Sequence, residues 1–453
     1  LKVVDGEMLA FSQGITRRGS YAAYLDISHP EVEEFLDIRK PTGGDINRRS
    51  INLHHAVVIT DDFMRLIEGA TREEHFNDDW DLIDPHTNKV VSTVSAKTLW
   101  VKLIQNRVET GEPYIMFKDT VDKGVPEFQR NLGLEVHHSN LCSEITLATD
   151  VDRTAVCCLS SVNLEEYDEW KDDELFIPDL IRMLDNVLEY FIANAPQELH
   201  RAVYSAKQER SLGLGAMGFH AHLQRHSIPF ESAIAKAKNR IMFRGIKEKA
   251  YAATKLLAEE RGECPDAVGY GIRNSHLLAI APNASSSIIC GNTSPSIEPY
   301  RANAFVQKTK TGSSLLKNEY LEHCLDDLGM NTEEIWQDII IHDGSVQHLD
   351  FLDRDTKDIF KTGVELDQKW LIEFAADRQE YICQSQSLNL FFPANVSKQE
   401  LHAVHMMAWK KGVKTLYYCR SEAIKRPDKV SDEALRQYIF DSISDEACLA
   451  CEG

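Results

Sequence analysis

The sequence predicts an α/β fold, and three observations carry that expectation. Apolar strand-like runs alternate with amphipathic helical patterns along the chain. One stretch, 384–418, reads as a complete β-α-β unit. The length of 453 residues is one that α/β barrels fill as a single unit. In that unit Gln384 to Phe392 is a strand and Ser397-Lys398-Gln399-Glu400 is a capping box. The box opens a helix carrying Leu401, Val404, Met407 and Ala408 on one side, which Gly412 stops. Val413 to Tyr418 then returns as a strand, so the two strands are expected to be parallel with a right-handed crossover.

In chain order, Lys2-Val3-Val4 is strand-like, and Ala10 to Leu25 is a polar, Gly-flanked loop feeding a strand at Tyr21 to Leu25. Gly14 and Gly19 let that loop flex while Arg17 and Arg18 give it charge and reach. It reads either as a gate over an anionic ligand or as a surface turn. Pro30 to Arg39 predicts a helix with Val32, Phe35, Leu36 and Ile38 as its stripe. The polar block 77–88 is a surface excursion. Ala96 to Thr110 is a second amphipathic helix, stopped by Gly111, and Tyr114 to Phe117 is an apolar strand.

Ser139 to Ala148 and Ala155 to Leu164 both predict strands. Adjacent Cys157 and Cys158 then face opposite ways, so only one of them can share a site. Pro178 to Asn194 and Ala233 to Arg261 are long helices, the second closed by Gly262. Gly213, Gly215 and Gly218 have the G-x-G-x-x-G spacing, but Ala202 to Glu209 before them reads as a helix. A dinucleotide fingerprint needs a strand there, so close backbone packing is the better account of these glycines. At His276 to Ile288 an apolar strand ends at Pro282, and serines open a short helix. That turn is either an anion site or a plain serine turn. Residues 301–380 carry no recognisable chemistry.

The formal charge of −21 argues against a nucleic-acid surface, which needs clustered Lys and Arg. No run approaches the length of a membrane span, and no secretory signal is visible. Ten cysteines without regular spacing suggest a reducing, cytoplasmic setting. Cys448 and Cys451 form the only C-x-x-C pair, with no second pair to complete a zinc site. His402 and His405 lie three apart on a helix but lack a third ligand, so no metal is expected there.

The strongest chemical signal is Asn140-Leu141-Cys142-Ser143-Glu144. Strand alternation would place Asn140, Cys142 and Glu144 on one face, bringing an amide, a thiol and a carboxylate to one substrate. The same residues also fit a half-buried strand with a packed cysteine.

This motif, the Pro282-Asn283-Ala284-Ser285-Ser286 turn and Lys414-Thr415-Leu416-Tyr417-Tyr418 occur in an order that resembles the large, catalytic subunit of class I ribonucleotide reductases. The resemblance extends over nearly the whole chain. It implies a ten-stranded α/β barrel of two antiparallel halves with a central finger loop. It also implies reduction of ribonucleoside diphosphates to 2'-deoxyribonucleoside diphosphates. Cys142 would carry a thiyl radical and abstract the ribose 3'-hydrogen. Glu144 would take the 3'-hydroxyl proton, and Asn140 would hydrogen-bond the ribose. Cys157, rather than Cys158, would be one of two reducing thiols.

By the same resemblance Tyr417 and Tyr418 would relay the radical from a metal-containing small subunit. Cys448 and Cys451 would re-reduce the site and be recharged by thioredoxin or glutaredoxin. Asn283, Ser285 and Ser286, with Pro282 and Ala284, would form the diphosphate turn. Ala284 stands where many members have glutamate. Gln13 and Arg17 would be base contacts of a specificity loop at Ser12 to Ser20. The implied organisation is 1–424 as the C-terminal part of the barrel and 425–453 as a flexible tail.

No cofactor is expected to be bound by this chain itself. The family's first barrel strands, the thiol partner of Cys157 and most of the site for dNTP and ATP effectors would belong to a complementing N-terminal polypeptide, either a separate gene product or the missing part of a partial sequence. The expected partners are that polypeptide, the small subunit, thioredoxin or glutaredoxin, and the diphosphate substrate. The competing expectation is a non-catalytic remnant that binds nucleotides or partner subunits.

Overall fold

A computed structural model of the chain describes residues 1–13, 17–40, 45–73, 75–309 and 312–421. The expected tail boundary at 424/425 and the Cys448/Cys451 pair lie outside the described residues.

The first layer of structure is a mostly parallel sheet. Strand β1 (Ala22–Asp26) pairs in parallel with β2 (His54–Ile59). Helix α1 (Asp61–Arg72) starts directly after β2, where the Thr60 side chain accepts the Phe63 N–H, and it buries Phe63, Met64, Ile67 and Ala70. Helix α2 (Ala96–Thr110) is capped by Ser95 and ended by Gly111 at a left-handed φ of 84°, a conformation that favours glycine. It leads into β3 (Tyr114–Phe117), which lies parallel to β2 and is wholly buried. Both elements match the expected boundaries because their start and stop signals are local.

A second parallel set follows. Strand β4 (Leu159–Asn163) pairs with β5 (Gly213–Met217), on either side of the amphipathic helix α3 (Phe176–Asn194) in sequence. Isolated parallel bridges at Leu214–Leu278 and Ile280–Gln386 carry the set onward. The glycines of β5 are there for packing: a Cβ on Gly215 would lie 2.6 Å from the Ala279 carbonyl oxygen. Helix α4 (Ala233–Arg261) packs against α3 and buries Met242, Phe243, Ile246 and Leu257. A six-residue helix, α5 (Ala284–Ile289), opens after Asn283, which is left-handed at φ 52°.

The β-α-β expectation holds in modified form. Strand β6 (Leu390–Phe392) and α6 (Lys398–Lys410) are followed by two short strands, β7 (Thr415–Leu416) and β8 (Cys419–Ser421). Strand β8 is parallel to β6, as expected, whereas β7 is antiparallel to β3. The predicted strand 413–418 therefore breaks at Tyr417-Tyr418, where the chain passes from one sheet to the other.

Other expectations are corrected. Lys2–Ala10 is a helix, since three apolar residues in a row do not distinguish strand from helix. The Pro30 to Arg39 helix is regular only over Val32–Phe35. The excursion at 77–88 contains one arm of a hairpin, Asp79–Ile83 paired with Val90–Ser95. One large hydrophobic core runs through both strand sets and the helices. Ala304, Leu321, Leu325, Trp336 and Ile339 belong to a separate smaller one. Among the described residues no helix is long and apolar enough to cross a membrane.

Candidate active site

Asn140 to Glu144 is not a strand. It is a turn, in which the Ser143 N–H donates to the Asn140 carbonyl at 3.3 Å and Ser143 takes a left-handed φ of 69°. The period-two argument for this stretch therefore fails, because its backbone finds partners other than a sheet ladder. The Tyr24 hydroxyl donates to the Asn140 carbonyl at 2.7 Å, and Thr415 Oγ1 donates to the Ser143 carbonyl at 2.8 Å. Ser387 Oγ donates to the Cys142 carbonyl at 2.6 Å, and the Ser385 N–H donates to the Glu144 carbonyl at 2.8 Å. A loop can be buried this deeply only when its peptide groups are paired in this way. Cys142 is 0% exposed and Glu144 2%.

The convergence expected of Asn140 and Glu144 survives by a different route. The Asn140 side chain accepts the Ile145 N–H at 3.2 Å and also hydrogen-bonds Glu144. Burial pushes the Glu144 carboxyl up to about 7, against the hydrogen bonds that favour its ionised form. Such a group can exchange protons near neutrality. Ser387 Oγ also lies 3.1 Å from Glu144 Oε2. One hydroxyl proton serves one acceptor well, so a protonated Glu144 completes this contact by donating back.

Cys142 packs in a cluster with Ala56, Tyr114, Tyr417 and Tyr418. The ring centroids are 4.3 Å apart for Tyr417–Tyr418, 4.7 Å for Tyr114–Tyr417 and 5.0 Å for Tyr114–Tyr418. The sheet switch at Tyr417-Tyr418 thus turns an adjacent pair into a contiguous aromatic contact that reaches the thiol residue. Cys142 is disulfide-bonded, so its sulfur must be reduced before it can act as a thiol.

Cys157 and Cys158 face opposite ways, as alternation required. Cys158 is 6% exposed in the main core and its thiol donates to the Leu184 carbonyl at 3.4 Å. Cys157 is a free, solvent-accessible thiol pushed up to about 12, mainly by surrounding protein and then by the Glu144 charge. The Glu144 contribution means that Cys157 lies within electrostatic reach of the buried carboxyl. The regular strand begins only at Leu159.

In the serine turn, Asn283 Oδ1 accepts from Ser161 Oγ at 3.0 Å, and its Nδ2 donates to the Ala216 and Ala281 carbonyls at 3.2 and 3.1 Å. These contacts tie the turn to the middle of β4 and the C-terminal end of β5. Pro282, Ala284, Ser285 and Ser286 are half-buried at the start of α5. The backbone of Gln13 and Arg17 forms a short antiparallel pair, and their side chains lie outside what the structure describes.

Sequence reasoning missed Tyr24, His54, Glu112, Tyr114, Ser385 and Ser387. Only the aromatic start of the 114–117 strand hinted at any of them. The helix histidines are committed to the protein: Trp100 Nε1 donates to His402 Nδ1 at 3.1 Å, and Arg107 Nε donates to His405 Nε2 at 3.0 Å. Among the described residues two other clusters have ligand-like spacing, Asp168 with His222 and His226, and Asp338 with His342 and His348. The first already holds cations, since Lys171 is 2.6 Å from Asp168 and Lys238 is 3.1 Å from His222. Neither shares a residue with the Cys142 site.

The family model described as the ribonucleotide reductase barrel domain matches residues 1–268 and 266–419. The chain is 48% identical over 466 residues to a large-subunit homologue from Frog virus 3 (isolate Goorha), covering 100% of this chain and 78% of that one. It is 44% identical over 503 residues to the ribonucleoside-diphosphate reductase large subunit of Invertebrate iridescent virus 3, covering 100% and 79%. A solved structure, the Actinobacillus ureae class Id ribonucleotide reductase alpha subunit, superimposes with a TM-score of 0.78 at 37% identity, covering 90% of this chain and 71% of that one.

Proposed function

The chain belongs to the ribonucleotide reductase large-subunit family, and on that premise we propose that it reduces ribonucleoside diphosphates to 2'-deoxyribonucleoside diphosphates, for DNA precursor synthesis, by a thiyl-radical route centred on Cys142. The observation that carries this reading is the burial of Cys142 against Tyr417 and Tyr418, two residues from the buried carboxyl of Glu144.

In this reading Cys142, once reduced and oxidised to the thiyl, takes the 3'-hydrogen and leaves a carbon radical. Glu144 takes the 3'-hydroxyl proton, and its placement near 7 suits a group that must both accept and return a proton. Asn140 has two amide donors, so one can hold the ribose while the other faces Glu144. The 2'-hydroxyl leaves as water. Cys157 and a second thiol supply two electrons and two protons and end as a disulfide, and Cys142 returns hydrogen to C3'. The diphosphate sits on the Pro282 to Ser286 turn. Because the Asn283 side chain is held by the protein, Ser285, Ser286 and first-turn N–H groups do the binding.

The wider assembly is part of the proposal. A metal-containing small subunit would supply the oxidising equivalent through Tyr417 and Tyr418. Residues 1–424 would form part of a ten-stranded barrel, completed by an N-terminal part, either a separate gene product or an earlier part of the same protein, that also brings the partner of Cys157 and most of the dNTP and ATP effector site. Open strand edges support this: among the described residues β1 and β4 each pair with one neighbour. The 425–453 tail, through Cys448 and Cys451, would pass electrons from thioredoxin or glutaredoxin. Gln13 and Arg17 would contact the base or effector. Among the described residues seven cysteines are free, which suits a cytoplasmic setting.

The test is reconstitution with small subunit, complementing polypeptide and a dithiol reductant, followed by measurement of deoxynucleoside diphosphate. Cys142→Ser should fall to background while still binding substrate. Product from that variant at the wild-type rate would overturn the assignment.

A further inference from the structure

Tyr418 is gripped from two sides by groups the reaction described above does not use. Its hydroxyl oxygen lies 3.2 Å from His54 Nδ1, and the Arg420 guanidinium sits 4.1 Å from its ring centroid. The same His54 nitrogen is 2.6 Å from Glu112 Oε1. Glu112 is fully buried, and its other oxygen accepts the His55 N–H at 2.9 Å. Arg39 Nη1 approaches Oε1 at 3.5 Å.

These contacts decide which atom owns the shared proton. Burial alone would raise the Glu112 carboxyl, but the Arg39 charge, His54 and the hydrogen bonds outweigh it and hold the group well below the usual carboxylate range. An ionised carboxylate only accepts. A 2.6 Å contact to it therefore requires the proton on His54 Nδ1. With the proton on Nδ1, the Tyr418 oxygen at 3.2 Å can only share that N–H, as the longer arm of a forked hydrogen bond whose shorter arm goes to Glu112.

We propose that His54, fixed by Glu112, is a positioning residue for Tyr418: it donates a hydrogen bond to the phenol oxygen and steadies that oxygen when the ring is oxidised. A phenoxyl oxygen has lost its proton and only accepts, so the N–H shared with Glu112 can strengthen its longer arm toward that oxygen when the ring is oxidised, without a new partner being brought in. His54 keeps its proton throughout. The electron leaves Tyr418 for the one-electron oxidant of the small subunit, and the phenol proton passes to that oxidant as it is reduced, so the net transfer is one hydrogen atom. The inference rests on the relay role of Tyr418 proposed above.

The experiment uses the reconstituted holoenzyme with His54→Phe, which keeps a ring and removes the donor. His54→Asn places an amide N–H near the position of Nδ1, and Tyr418→Phe serves as the reference. His54→Phe should lower kcat about tenfold, the effect of one lost hydrogen bond, with KM within about twofold. With 3-aminotyrosine at position 418, the trapped radical's high-field EPR g-values should shift in His54→Phe and return toward wild type in His54→Asn. Wild-type kcat in His54→Phe, an unshifted spectrum, or no return with Asn would each overturn the proposal. If His54→Phe does not fold, His54→Leu, which also lacks the donor, takes its place, and an unshifted spectrum in it would overturn the proposal. Normal turnover in Tyr418→Phe would instead sink the relay on which it rests.

Discussion

The Ser387 hydroxyl is 2.6 Å from the Cys142 carbonyl oxygen, which makes this residue, three ahead of β6, the clamp on the turn that carries the thiol. The same oxygen reaches Glu144, so thiol residue and carboxyl are held from a single point. Ser387→Ala should leave a buried carbonyl without its donor and destabilise the fold by about 1–3 kcal/mol. Turnover should fall about tenfold while substrate affinity holds. Denaturant titration and steady-state kinetics read the two effects; unchanged values in both would remove the clamp.

Glu144 should make stability depend on pH in a particular direction. Its carboxyl is raised from 4.5 to about 7 in the folded chain, so between those values the folded state binds the extra proton. The associated stability is present below pH 4.5 and is lost as pH rises through about 7, roughly 3 kcal/mol in all. Buried Glu209, raised to about 8, adds a loss of the same sign. Glu144→Gln should therefore lose roughly 3 kcal/mol less than wild type between pH 4.5 and 8 in denaturant midpoints. Its turnover should also drop at least about a hundredfold. Parallel pH profiles for the two proteins would contradict the burial argument.

Tyr417 is 1% exposed and its ring contacts those of Tyr114 and Tyr418, which also contact each other. Tyr417→Phe keeps the ring and removes the phenol proton, so packing should survive within about 1 kcal/mol. Deoxynucleotide formation should stop, with nucleotide binding intact by equilibrium dialysis. Turnover at the wild-type rate would take Tyr417 out of the relay.

Gly215 tests the packing account of the glycine run. A Cβ there would meet the Ala279 carbonyl oxygen at 2.6 Å, so backbone must move. Gly215→Ala should cost about 1–3 kcal/mol in chemical unfolding, more than the small gain an alanine brings to an unstrained strand. A neutral or stabilising result would return the glycines to some other role.

The sequence by itself determined what local chemistry decides. The α2 helix ends at Gly111 and α4 at Gly262, each at the expected residue, because caps and apolar stripes are set within a few neighbours. The Ser397 capping box opens α6 for the same reason. The motifs that mark the family are likewise short and in order. Tertiary structure decided what depends on distant partners. Asn140 to Glu144 alternates like a strand, yet Tyr24, Ser385, Ser387 and Thr415 satisfy its backbone as a turn. Tyr417-Tyr418 looked like the end of one strand and is the crossing between two sheets. The Tyr114 ring, the Ser387 clamp and the His54–Glu112 grip on Tyr418 come from segments tens to hundreds of residues away. Their hydrogen bonds are chosen by how the sheets pair, which no local period encodes.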